Sequence, residues 1–190
     1  MKYSFLDIRS ITTDELEYWY SIMSDEKRHY VSKYIHADDR IRSICGEILA
    51  RKEISAYCGV IAEKIIFSKN ESGKPVVINI PVEFNISHSG DMVACVVSGK
   101  SVGIDIEKIG RIDIKTAGFF CTEKDMEYFL HETDAEVRNR RLYEIWTAKE
   151  AAAKCFGTDL DHLKSIDFYE IRKTGTRIDF HNYTSFAIEA

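Results

Sequence analysis

No apolar run in the 190 residues approaches the ~20 needed to span a bilayer. The start, Met1-Lys2-Tyr3-Ser4-Phe5-Leu6-Asp7, reaches an acidic residue before any signal-peptide core can form. Both absences predict a soluble, cytoplasmic protein. The five cysteines, Cys45, Cys58, Cys95, Cys121 and Cys155, include no C-x-x-C pair and are odd in number. Set mostly among apolar neighbours, they read as reduced core residues and not as a disulfide frame, a zinc site or a nucleophile. An excess of positive charge is also missing: 26 Lys+Arg against 31 Asp+Glu leave a formal charge of −5, which argues against a general nucleic-acid binder. There is no low-complexity segment, linker or exact internal repeat.

What is present suffices for a sizeable core: 45% hydrophobic and 12% aromatic residues suit one domain or two small halves. Positive charge is locally dense at Lys27-Arg28, at Arg40 and Arg42, and at Arg138-Asn139-Arg140-Arg141. Such patches form solvated helix faces, or they receive an anionic small molecule or an acidic protein.

Residues 84–107, FNISHSGDMVACVVSGKSVGIDIE, hold the densest chemistry. Two strand-like runs, 92–97 and 102–106, flank Ser98-Gly99-Lys100, a composition that predicts a hairpin. Alternation sets Asp105 and Glu107 on one strand face, with Gly103, Ile104 and Ile106 leaving the other small or apolar. Two carboxylates ~7 Å apart repel by roughly 2 kcal/mol at an effective dielectric near 20. A divalent cation would offset that repulsion. Screening by Lys100, Lys108 or solvent would do the same, and for a lone D-x-E it is the commoner explanation.

Elsewhere, a strand is predicted over 3–8 and a helix behind the capping box at Thr12-Thr13-Asp14-Glu15. A short helix should follow Ser24, and a longer one should open at Asp38 or Asp39. In the latter, Ile41, Ile44, Cys45, Ile48 and Leu49 form the buried face, opposite Arg40, Ser43, Glu47 and Arg51. Strands at 65–67 and 76–78 enclose a loop over 68–75, in which Pro75 holds Lys74 extended and Gly73 permits close backbone approach. Helices are predicted over 113–120, 122–130 and 134–156, the last stopped by Gly157, and three short strands from Ile166 onward. Within the last helix, Glu150 and Lys154 share a face at i,i+4 spacing. By itself that is an ordinary surface pair, but the alanines around it make a thin helix face that can pack closely on a sheet.

Taken together, Gly73-Lys74-Pro75, Phe84-Asn85-Ile86-Ser87-His88-Ser89, Val102-Gly103-Ile104-Asp105-Ile106-Glu107 and Trp146-Thr147-Ala148-Lys149-Glu150-Ala151 with Lys154 resemble the motif set of the 4′-phosphopantetheinyl transferases, of the monomeric surfactin-synthetase-activating type. The resemblance implies an α+β fold with a pseudo-twofold duplication of two similar halves and the active site in the cleft between them. The N-terminal half, 1–101, would bind the nucleotide of coenzyme A, and the C-terminal half, 102–190, would carry the metal site and carrier docking. It implies Mg²⁺-dependent transfer of the phosphopantetheine arm to a serine of an apo acyl or peptidyl carrier protein, releasing adenosine 3′,5′-bisphosphate.

On the same resemblance Asp105, Glu107 and Glu150 match the metal ligands, and Lys154 stabilises phosphate charge. Glu150 or a metal-held water is the base. Lys74 and Ser87 match positions at the adenine end, His88 one near a phosphate, and Lys27, Arg42 and Ser43 those around the 3′-phosphate. A basic position usual shortly after Lys27 is Tyr30 here, which thins that clamp or shifts it to Lys33. Arg138, Arg140 and Arg141, with apolar residues between Phe119 and Leu130, are expected to dock an acidic carrier. Two competing readings use the same residues differently. One is a Mg²⁺-dependent phosphohydrolase of coenzyme A or a related nucleotide; the other is a non-catalytic coenzyme A binder.

Overall fold

Polar caps and apolar alternation set the elements of the first unit, Met1–Gly99, in a computed structural model that describes residues 1–71 and 73–190. Strand β1 (Lys2–Asp7) is followed by α1 (Thr13–Ile22), which starts on a reciprocal capping box between Thr12 and Glu15. Helix α2 (Asp25–Ser32) starts on Ser24, whose hydroxyl accepts from Lys27 N. Helix α3 (Ala37–Cys58) begins earlier than Asp38 and has His36 as N-cap without a side-chain bond. Asp38 and Asp39 instead occupy its first turn, where carboxylates meet the positive end of the helix dipole.

Strands β2 (Phe67–Lys69) and β3 (Pro75–Val77) pair close to their predicted places. They are displaced because the Asn79 side chain accepts from Ile66 N and donates to Lys64 O, closing that stretch by other means. In the loop between them Gly73 has φ +82° and Lys74 N donates to Asn70 Oδ1; Ser72, part of the predicted loop, lies outside the described residues.

Strands β4 (Glu83–Ser89) and β5 (Met92–Ser98) form a hairpin turned by Gly90-Asp91, with φ +55° at Gly90. The predicted hairpin across Ser98-Gly99-Lys100 is therefore wrong. β5 is the central strand of the sheet β1-β5-β4 and both its edges are occupied, so it has no edge left for the next strand. Helix α3 packs on this sheet, burying Cys45, Leu49 and Ile54 against Phe84, Val93 and Val97. The face opposite the apolar one is covered as well: Glu47 and Arg51 are buried as an ion pair at 2.8 Å. Arg51 lies over the Phe67 ring and donates to the carbonyls of Ala62 and Ile65, which cover that face.

The second unit, Lys100–Ala190, opens with β6 (Val102–Lys108) and continues through α4 (Ile114–Phe120), α5 (Glu123–Leu130) and α6 (Ala135–Phe156). The tail is not three strands but α7 (Phe168–Thr174), β7 (Thr176–Phe180) and β8 (Tyr183–Glu189). Asp167 accepts from the backbone N–H groups of Tyr169 and Glu170, and that cap starts a helix whose buried Phe168 and Ile171 stand at helical spacing. Strands β6, β8 and β7 form an antiparallel sheet in that order. Its core gathers Phe120, Phe129, Leu142, Ile145, Phe168 and Phe186, each worth roughly 1.5–3 kcal/mol on burial.

Apart from the β2–β3 pair inserted in the first unit and α7 in the second, each unit runs strand, two short helices, one long helix, and a closing hairpin. In each sheet the first strand pairs with the last, and the last with the one before it. Both long helices have 22 residues and stop at a glycine with φ +69°, Gly59 and Gly157. The same topology built twice accounts for the expected duplication. No helix among the described residues is long and apolar enough to cross a membrane. None of the five cysteines is in a disulfide, and burial pushes the thiols of Cys45 and Cys121 up to about 11 and about 12, where they are poor nucleophiles at neutral pH.

Candidate functional site

The second unit assembles its polar cluster where α6 lies across β6. Strand alternation puts Gly103, Asp105 and Glu107 on one face, so Gly103 belongs with the carboxylates and not with Ile104 and Ile106. A Cβ added at Gly103 would lie 1.9 Å from the carbonyl oxygen of Ala151 and 2.6 Å from Cys155 N. Glycine thus lets the helix backbone reach the strand, and buried Ala148, Ala151 and Ala152 keep that helix face thin. Ser101 Oγ ties the same seam by donating to Cys155 O.

One row of α6, Trp146, Glu150 and Lys154, spaced four apart, then meets the strand. Lys154 Nζ lies 2.6 Å from Asp105 Oδ1 and 3.5 Å from Glu150 Oε2, and Trp146 Nε1 donates to Glu107 Oε1 at 3.3 Å. Asp105 is 2% exposed, and its main-chain oxygen accepts from Ser185 Oγ. Burial, then the charge of Asp105, push the Glu150 carboxyl above its ordinary pKa, with Glu107 adding to the shift. Burial also works against the Lys154 ammonium, but Asp105 and Glu150 outweigh it and its pKa stands above the usual value. Among the described residues no three His, Cys, Asp or Glu side chains are gathered as a metal-ligand set. Asp105 and Glu150 instead share the Lys154 ammonium.

Lys149, next to Glu150, points the other way. Fully buried, it donates to Phe120 O at 2.8 Å and pairs with Asp125 at 2.6 Å. Asp125 also accepts from Thr122 N as the N3 member of a capping box, so this one carboxylate joins α5 to α6. The capping pattern Thr-x-x-Asp was visible in the sequence; its partner 24 residues on was not.

The first unit contains a cavity of about 320 Å³ whose wall includes Lys27, Arg42, Ser43 and His88. Lys27 Nζ donates to Ser43 Oγ at 3.0 Å, and Arg42 donates to Gly90 O at 3.0 Å in the β4–β5 turn. Gly73 and Pro75, on either side of Lys74, also line it. So do Ile86 and His88, while alternation turns buried Ser87 to the opposite sheet face. Lys33 is exposed and is not in the wall; Lys69, which no motif marks, is. Its signal was no more than a lysine at the mouth of a glycine-containing loop.

A second hollow of about 540 Å³ lies in the second unit, lined by Arg111, Arg138 and Arg140 with Ile109, Ile112 and Ile114. Arg141 is not part of it: its guanidinium is 2.9 Å from Glu132 and also donates to Tyr128 O. Of the apolar residues expected beside the arginines, Phe120 and Phe129 are core, whereas Phe119 (81%) and Leu130 (48%) are exposed.

Residues 101–188 match the family described as the 4'-phosphopantetheinyl transferase superfamily, and residues 10–100 match 4'-phosphopantetheinyl transferase, N-terminal. The chain is 41% identical over 138 residues to the 4'-phosphopantetheinyl transferase gsp of Aneurinibacillus migulanus, covering 72% of this chain and 57% of that protein. It is 32% identical over 165 residues to the 4'-phosphopantetheinyl transferase Sfp of Bacillus subtilis (strain 168), covering 86% and 72%. With psf-1 of Bacillus pumilus it shares 35% identity over 149 residues, covering 78% and 64%. The chain therefore spans between 57% and 72% of the lengths of these relatives.

Proposed function

Because the chain belongs to the 4′-phosphopantetheinyl transferase superfamily, whose members use coenzyme A to modify carrier proteins, we infer that it moves the phosphopantetheine arm of coenzyme A onto a serine of an apo acyl or peptidyl carrier. The serine oxygen bonds to the phosphorus that bears pantetheine, the bond from that phosphorus to the nucleotide phosphate oxygen breaks, and adenosine 3′,5′-bisphosphate leaves. The observation that carries this reading is the Lys154 ammonium set between Asp105 and Glu150 on a helix pressed against the strand.

Lys154 offers a fixed positive charge to oxygens that gain charge in the transition state, commonly the largest contribution in phosphoryl transfer. Glu150 accepts the serine proton. Three carboxylates on one seam, with Glu150 pushed up partly by its acidic neighbours, suit a hard dication that prefers oxygen ligands. Asp105, Glu107 and Glu150 would hold magnesium, which when bound neutralises charge on the phosphate oxygens. In the first unit, Lys27, Arg42 and Ser43 take the 3′-phosphate, His88 a neighbouring phosphate, and Lys74 the adenine end; the shared cavity of four of these supports the assignment, while Ser87, turned to the other sheet face, is left out of it.

Incubation with coenzyme A, magnesium and a panel of apo-carriers, read by intact mass, should show one added arm per carrier. Glu150→Gln should lower the rate by about 10²–10³-fold while coenzyme A binding is kept. Full activity in that variant would exclude Glu150 as base or ligand. Nucleotide release without carrier modification would identify a hydrolase, and coenzyme A binding with neither product a binding protein.

The carrier docks by its acidic helix at the hollow of Arg111, Arg138 and Arg140, with Phe119 and Leu130 exposed on neighbouring helices. The double variant Arg138→Glu/Arg140→Glu should raise KM for the carrier by about tenfold or more and leave KM for coenzyme A unchanged. An unchanged carrier KM would remove this surface from the reading. Arg141→Glu should act on stability instead, since it breaks the contacts with Glu132 and Tyr128. Cysteines outside disulfides fit a cytoplasmic location, checked by fractionation, and the expected monomer is checked by light scattering.

A further inference from the structure

The cavity of the first unit holds a cation to which no role has been assigned above. Lys69, at the end of β2, carries its Nζ to 4.3 Å from the centroid of the Tyr30 ring. Lys27 Nζ lies 5.9 Å from the same centroid. Backbone pairing of Lys69 with Pro75 fixes the base of the first side chain, and α2 fixes the ring. A flexible lysine at the mouth of a loop would otherwise spread into solvent; the ring face gives it a preferred seat beside the second ammonium.

We propose that Lys69, seated on Tyr30, acts with Lys27 to recognise a phosphate monoester, the group by which coenzyme A differs from its dephospho form. The proposal rests on the nucleotide reading given above. Two ammonium groups beside one neutral ring repel each other until an anion joins them. Burial holds the Lys27 ammonium below its ordinary pKa; the charge of Glu47 works against that shift, and the charge of Lys69 adds a smaller push in the same direction as burial. Two acids stand in the cavity wall, Glu26 and Glu47, and Glu47 is already bound at 2.8 and 2.9 Å by two nitrogens of Arg51. A terminal monoester, with about −1.5 to −2 charge and three acceptor oxygens at neutral pH, matches two ammonium groups better than an internal diphosphate oxygen does.

Tyr30 supplies the seat through its ring and not through its hydroxyl, which receives a bond from Tyr34 at 3.3 Å. The test uses the full chain and its Lys69→Ala, Lys69→Arg, Tyr30→Ala and Tyr30→Phe variants. Calorimetric binding of adenosine 3′,5′-bisphosphate is compared with that of adenosine 5′-monophosphate, and KM and kcat are compared for coenzyme A and dephospho-coenzyme A. Lys69→Ala should weaken the bisphosphate by about tenfold and raise KM for coenzyme A in proportion. The monophosphate, the dephospho substrate and kcat should be unchanged. Lys69→Arg and Tyr30→Phe should stay close to wild type, and Tyr30→Ala should fall in between. A Lys69→Ala protein that keeps the full preference for the bisphosphate, or loses both ligands equally, overturns the proposal. Should the wild type itself bind both nucleotides alike, the nucleotide reading fails and takes the proposal with it.

Discussion

Lys154→Met is expected to reduce carrier modification by about 10²–10³-fold and to lower stability by about 3–5 kcal/mol in the same protein. The loss of rate follows from removing a preorganised charge. The loss of stability has a separate origin: the Asp105 side chain, 3% exposed, would keep its charge without the ammonium that now lies 2.6 Å away. Coupling the change with Asp105→Asn separates the two effects, because it removes the stranded charge without restoring the cation. The double variant should regain most of its stability in urea titrations yet remain inactive by intact-mass assay. A single variant costing under about 1 kcal/mol would show that water screens this pair as it does an exposed one.

Gly103→Ala should be strongly damaging for the addition of a single methyl group. Its Cβ would meet two backbone atoms of α6, at 1.9 and 2.6 Å, and backbone in a packed helix does not swing aside as a side chain can. Overpacking commonly costs 1–3 kcal/mol, and here about 3 kcal/mol or more is expected. The helix would have to lift from β6 by about an ångström, carrying Lys154 and Glu150 away from Asp105. A displacement of that size costs on the order of 10² in rate. Gly118→Ala is the control: nothing lies within 4 Å of the added atom, and α4 should gain about 0.5–1 kcal/mol from the better helix former. If Gly103→Ala melts with the wild type, the backbones of helix and strand do not meet at this seam.

The elements legible in the chain were those set by local chemistry. The Thr12 and Thr122 capping boxes, the Ser24 and Asp134 caps, and the glycine stop at Gly157 fall where local side-chain bonds satisfy helix ends, and such bonds need no distant partner. Elements were misread where distant partners competed. Ser98-Gly99-Lys100 has a turn's composition, yet β5 already had a neighbour on each edge. One misreading was itself local: Ile166, Phe168 and Ile171 suggested alternation, but the Asp167 cap starts a helix there. Arg141 stood in a basic run like its neighbours and was taken up by Glu132 in the connection between α5 and α6.

The sequence by itself determined that a D-x-E pair lies on one strand face and that Glu150 and Lys154 share a helix face, since both follow from backbone periods of 2.0 and 3.6 residues. Only the tertiary structure decided that these two faces meet. That meeting depends on the absence of a single Cβ at Gly103, and on alanines thin enough to let a helix lie on it, so that an ammonium and buried carboxylates came to share one low-dielectric seam. Pairing energy there is set by distance and desolvation, quantities that no local spacing contains.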